Sequence, residues 1–129
     1  MLSAADRHDL LRDLAANPDG AWITVAGRSM EPTLHLGDRV RIRRCTSIRA
    51  GDVVLFETRD RADVILHRVI ALVPVISWFW HIGDGGHPSL PGLASTHAII
   101  GRADLPRRRV RLQSYVAAVR RLVYGDGLD

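Results

Sequence analysis

The stretch GRSMEPTL at residues 27–34, followed by GDRVRIR at residues 37–43, is the most informative part of this chain. Ser29 stands in a proline-containing segment, where a serine taken alone is most often a turn or capping residue. Val40 and Ile42 alternate with arginines, which predicts a strand whose arginines face outward. The stretch therefore predicts a serine-bearing loop that leads into a half-buried strand.

Short β-rich segments separated by glycine-aspartate pairs surround this stretch. The patterns predict strands at residues 21–26, 39–43, 52–57, 64–73, 75–82 and 97–103, with a turn at Pro74. The sequence therefore predicts a mostly β fold.

A short helix is predicted before the strands, at residues 4–16. Ser3 is the expected N-cap, and Leu10, Leu11 and Leu14 form a short apolar stripe. The turn-forming sequence NPDG directly after the helix ends it.

A second helix is predicted in the tail, where the apolar residues of 112–124 fall on one helical face. We expect a single domain with three parts: a helix and turn at 1–20, a β body at 21–105, and a basic segment with an amphipathic helix at 106–129.

Composition and residue spacing indicate an ordinary globular domain without an internal disulfide or a zinc helix motif. The chain has 129 residues, 47% of them hydrophobic and 25% charged, which is ordinary for one globular domain. Its net charge of +4 depends on 18 basic residues, all of them arginines. The single cysteine, Cys45, excludes an internal disulfide. The spacing of His35, His81, His87 and His97 matches no zinc helix motif, so neither a metal nor another cofactor is predicted.

The apolar stretches are too short for a membrane span. The longest uncharged one, residues 69–80, has 12 residues, fewer than the roughly 20 that a spanning helix needs. The amino terminus carries Asp6 and Asp9 where a secretory signal would be apolar. We therefore expect a cytoplasmic protein, with the basic carboxyl-terminal helix as a candidate for peripheral contact with a membrane.

Further motifs follow the serine segment in a fixed order. They are GDVVLF at residues 51–56, HRVI at 67–70, GD at 83–84 and IIGR at 99–102. The ordered series, from about residue 26 to 103, resembles the type I signal peptidases and their LexA-like relatives. The resemblance implies a serine peptidase with the mostly β catalytic fold of that superfamily, with short flanking helices here.

The resemblance also implies roles for two residues. In that superfamily the serine of the Ser-Met-x-Pro-Thr-Leu motif is the nucleophile, which is Ser29 here. Many members use a lysine as general base, but this chain contains no lysine. His67 stands at the matching position, as in the histidine-type branch found in the endoplasmic reticulum and in archaea. The resemblance therefore implies that His67 is the base.

Strand geometry supports this role for His67. Ile65, His67 and Val69 share one face of the predicted strand, so the imidazole should lie among apolar neighbours. Desolvation there would lower its pKa and keep it neutral, as a general base must be. The structural alternative is a hydrogen-bonded core histidine without a catalytic role.

The sequence also offers candidates for the residue that orients the histidine and for the oxyanion donors. Asp84 matches the Gly-Asp motif whose aspartate orients the histidine in the histidine-type enzymes, and its structural alternative is a turn aspartate. Gly27 stands where many bacterial signal peptidases have a hydroxyl donor. The oxyanion would then be held by backbone amides, including that of Ser29.

Two other functions stay open at this stage. One is a LexA-like self-cleaving regulator, which is disfavoured because about 20 residues precede the first strand and no lysine is present. The other is a catalytically inactive homologue that binds extended peptides by strand addition. No nucleic acid is expected as a partner, since no aromatic residues interleave the arginine runs. The expected partner is a peptide or protein substrate.

Overall fold

The computed structural model describes residues 1–85, 90–107 and 120 of the chain. Within them lie one helix and seven strands: α1 (Ala4–Ala15), β1 (Ala21–Thr24), β2 (Arg39–Arg43), β3 (Val53–Glu57), β4 (Val64–Val73), β5 (Trp78–Ile82), β6 (Gly92–Ser95) and β7 (Ile99–Ala103). The mostly β fold class is confirmed. The carboxyl-terminal helix predicted at residues 112–124 lies outside the described residues.

All seven strands belong to one antiparallel sheet in the order β1-β2-β7-β3-β4-β5-β6. The last of the described strands, β7, lies between β2 and β3 and joins the two halves of the sheet. β4 is the longest strand and pairs with β3 on one side and β5 on the other. β4 therefore connects β3 to β5, the strands next to the candidate site.

Side chains from the two faces of the sheet form two main apolar clusters. On the face covered by α1, the helix-side cluster contains Ala15, Ile42, Leu55 and Ile100 among others. On the other face, the histidine-side cluster consists of Val54, Phe56, Val69 and Phe79. β3 contributes to both because its successive side chains point to opposite faces.

The amino-terminal helix begins as predicted but docks differently. Ser3 and Asp6 form a reciprocal capping box. The expected apolar stripe is wrong in part, since Leu10 and Leu14 are 50% and 44% exposed and only Leu11 packs on the sheet. The helix instead buries His8 and Ala15.

Glu57, at the end of β3, explains this orientation of α1. Its carboxylate is buried and contacts His8 Nδ1 at 3.0 Å and the guanidinium of Arg12, both on α1. Arg61 Nε donates to it at 2.8 Å from the following loop. These interactions hold the pKa of Glu57 at about 2, although burial by itself would raise it.

Several predicted strand limits were too wide. β1 ends at Thr24 rather than 26, and β3 begins one residue late. β5 begins at Trp78 because Pro74–Ile76 form a short 3₁₀ turn and Ser77 is left-handed. β7 likewise follows a 3₁₀ turn at Thr96–Ala98. β6 was not predicted.

We predict that Glu57→Gln lowers the free energy of unfolding by about 1–3 kcal/mol at pH 7, because the arginines lose a buried anionic partner. A depressed carboxyl pKa stabilises the fold above its unfolded value of 4.5, and this contribution is lost as pH falls towards 2. The difference between variant and wild type, measured by urea unfolding, should shrink over that range.

The matched control is Asp9→Asn, which removes the exposed pair of Asp9 with Arg61. It should cost less than 1 kcal/mol, roughly the upper limit for such surface pairs. An equal loss in both variants would contradict a special role for Glu57.

Candidate active site

Ser29 lies in the loop between β1 and β2 and is exposed to solvent. The loop is fixed on both sides of it, since Val25 before it and Met30 after it are buried in the helix-side cluster. The peptide bond between Glu31 and Pro32 is cis. An exposed serine is thus held on a short segment with buried anchors.

The segment after β5 packs directly on the main chain of Ser29. The amide of Gly85 donates to the Ser29 carbonyl oxygen at 2.7 Å. A Cβ at Gly83 would collide with that same carbonyl oxygen, and one at Gly85 would stand 3.1 Å from it. The glycines at these two positions permit the close approach of the two backbones.

His67 lies in β4, on the face predicted for it. Ile65 and Val69 pack with the histidine-side cluster, and the Phe56 ring stands edge-on to the imidazole at 6.5 Å. Burial lowers the pKa of His67 to about 4, against an opposing attraction from the Asp84 charge. The predicted apolar surroundings and lowered pKa are both confirmed.

Asp84 connects the serine loop to β4. Its two carboxylate oxygens accept from Arg68 Nε at 2.7 Å and Nη2 at 2.6 Å. The hydroxyl of Thr33, in the serine loop, donates to the same carboxylate. Arg68 is buried and also donates to the Gly51 carbonyl at 2.6 Å. Since Arg68 directly follows His67, this ion pair brings the serine loop and the histidine strand to one end of the sheet.

The hydrogen bond at His67 differs from the sequence expectation. Asp84 was expected to hold a ring nitrogen of His67, but His67 Nδ1 lies 2.9 Å from His81 Nδ1. Asp84 acts on His67 by its charge and is bonded to Arg68 and Thr33.

His81 is the site residue that sequence reasoning missed, since it was weighed only as a metal ligand. The turn predicted at Pro74 was the available signal, because a β4–β5 hairpin brings residue 81 beside the strand of His67. Over the described part of the chain, no group of three or more histidine, cysteine, aspartate or glutamate side chains could hold a metal ion.

A groove of about 640 Å³ lies beside the histidine-side cluster. Ile48 and Ile99 pack on that cluster and also line the groove, together with Trp78. Ser29, His67 and Asp84 are not among its lining residues. The groove is therefore distinct from the candidate catalytic residues.

Comparison with protein families identifies the family of the chain. The family model described as Peptidase S24-like matches residues 3–74, more than half of the chain. The chain belongs to this family. The LexA and signal-peptidase-like superfamily expected from the motifs is thereby confirmed, and with it a relationship to peptidases.

The match to this peptidase family includes Ser29, His67 and Arg68, whereas His81 and Asp84 lie beyond it. No curated protein matches the chain. Among the described residues, no helix is both long and apolar enough to cross a membrane.

We predict that Gly83→Ala lowers the free energy of unfolding by about 1–3 kcal/mol, because the added methyl must displace the Ser29 backbone. The control is Gly27→Ala in the same loop, where a Cβ would meet no atom within 4 Å. Urea unfolding of both variants is the measurement. Equal stability of the two would show that the contact between Gly83 and Ser29 is not tight.

Proposed function

We propose that this protein is a serine endopeptidase, with Ser29 as nucleophile and His67 as general base. The observation that carries the proposal is the junction at Asp84, which connects the loop of an exposed serine to the strand of a half-buried histidine. Membership of a peptidase family supports the same reaction class. The substrate class is a peptide or protein.

The proposed reaction is acyl transfer in two stages. Ser29 Oγ attacks the scissile carbonyl carbon while His67 takes the hydroxyl proton. Backbone amides, including that of Ser29, stabilise the oxyanion. The carbon–nitrogen bond then breaks as His67 returns the proton to the leaving amine. Water, activated by the same imidazole, hydrolyses the acyl-enzyme ester and regenerates Ser29.

The environment of His67 keeps its imidazole neutral, as a general base requires. With a pKa of about 4, the imidazole is neutral at pH 7 and has a lone pair for the serine proton. The attraction of Asp84 favours the imidazolium that forms during attack. We propose that Asp84 contributes through this charge and by positioning Arg68 and Thr33.

We predict that Ser29→Ala and His67→Ala each lower kcat by at least about 10³-fold, because the nucleophile or its base is lost. The measurement is cleavage of a diverse peptide library by the purified protein, followed by mass spectrometry. Ser47→Ala and His35→Ala, which replace exposed residues of the same types, serve as matched controls. Cuts that persist in Ser29→Ala would exclude the proposed nucleophile.

The inactive peptide-binding alternative gives a different result in the same experiment. It predicts no cutting by the wild type, together with peptide binding that is equal in wild type and Ser29→Ala. Among the described strands, β1 and β6 lie at the edges of the sheet, which is where an added peptide strand would pair.

The pH dependence of cleavage offers a separate test. Because the folded pKa of His67 is lowered, kcat/KM should stay level as pH falls through 6.5 and decrease only as it approaches about 4. Initial rates between pH 3.5 and 8, with folding checked by near-ultraviolet circular dichroism, would measure this. An acid limb centred at 6.5 or above would contradict the assignment of the partly buried His67 as the base.

A further inference from the structure

The contact between His67 and His81 joins two imidazoles from neighbouring strands. The Nδ1 atoms are 2.9 Å apart, and the ring centroids are separated by 5.1 Å with an interplanar angle of 49°. Two ring nitrogens at this distance need one N–H donor and one lone pair. The contact therefore couples the tautomer of one ring to that of the other.

His81 is held in place on several sides. The residue is only 8% exposed, and its ring packs against Phe56 and Phe79 with centroid distances of 4.6 and 5.8 Å. Gly92 of β6 is its strand partner, and a Cβ there would stand 2.5 Å from Cε1 and 2.6 Å from Nε2 of His81. A larger residue at position 92 would displace the ring, so the position of His81 Nδ1 is fixed by packing.

The direction of this hydrogen bond decides whether His67 can act as a base. If His67 Nδ1 donates, Nε2 of the neutral ring carries the lone pair and accepts a proton. If His81 Nδ1 donates, the proton of neutral His67 is on Nε2, and that atom cannot accept another. Only the first arrangement is compatible with proton transfer from Ser29 to Nε2.

We propose that His81 is a positioning residue for this reaction: it accepts the Nδ1–H of His67 and so holds His67 in the tautomer whose Nε2 takes the serine proton. The inference rests on the proposed function. It assigns to a second neutral imidazole the orienting role that a carboxylate has in many serine hydrolases.

The proton balance of this arrangement is simple. Before attack, His67 carries one proton, on Nδ1, and this N–H donates a hydrogen bond to His81 Nδ1. After attack, the serine proton is on Nε2 and His67 is an imidazolium that still donates to neutral His81. The leaving amine then receives the Nε2 proton, and His67 returns to its first tautomer. Neutral His81 cannot balance the imidazolium charge, and the nearby Asp84 charge supplies that attraction.

Two substitutions separate hydrogen bonding from packing. His81→Phe keeps a ring of similar size but removes the acceptor, and His81→Asn keeps an acceptor oxygen near the position of Nδ1. We expect His81→Phe to lower kcat about 100-fold with little change in KM, and His81→Asn to stay within about tenfold of the wild type. Equal losses in both variants, or none in His81→Phe, would overturn the inference.

A measurement without turnover tests the same point in the unmodified protein. Nitrogen-15 shifts of the histidine rings at pH 7, assigned with His67→Gln, report which nitrogen of His67 is protonated. We expect Nδ1 to carry the proton in the wild type and in Ser29→Ala, and this preference to be lost in His81→Phe. A proton on Nε2 in the wild type would overturn the inference even if His81→Phe fails to fold.

The two measurements also separate this inference from the proposed function. Suppose that cleavage needs Ser29 and His67, but the resting His67 is protonated on Nε2. This result would support the proposed peptidase and exclude the positioning role of His81. A wild type that cuts no peptide would exclude the peptidase, whatever the tautomer of His67.

Discussion

The buried ion pair of Arg68 with Asp84 is the interaction on which the candidate site depends. Both guanidinium–carboxylate hydrogen bonds are short, and the Arg68 and Asp84 side chains are only 4% and 12% exposed. Removal of one partner from such a pair typically costs about 3–5 kcal/mol, since the other charge is left buried. Because the same carboxylate accepts from Thr33, the pair also fixes where the serine loop stands relative to β4.

The side chains on the two faces of β4 have different surroundings at this end of the sheet. Arg68 points to one side and organises the backbone around Asp84 and Gly51. His67 points to the other, where apolar contacts and a second imidazole surround it. Adjacent residues on one strand thus have different surroundings because their side chains point to opposite faces of the sheet, although the charge of Asp84 acts on both.

Sequence patterns predicted β2 and β4 with their observed limits, because strict alternation and a long apolar run are strong local signals. β6 has four residues, begins with glycine and exists by pairing with β5, so its local signal was weak. Ser29 and His67 were identified as candidate site residues because the motifs around them resemble those of a known superfamily. The contact with His81 depends on the β4–β5 register, which shifts between Val69 and Ala71, and a single sequence does not encode that shift in a readable pattern.

The attachment of α1 through Glu57 restricts the rotation of the helix about its own axis. His8 and Arg12 are one turn apart, so both face the same carboxylate in only one orientation. An apolar stripe of leucines would tolerate a small roll or slide, since dispersion contacts are weakly directional. Hydrogen bonds to a single buried anion do not. The helix therefore has one docked orientation, determined by the direction of these bonds more than by the area it buries.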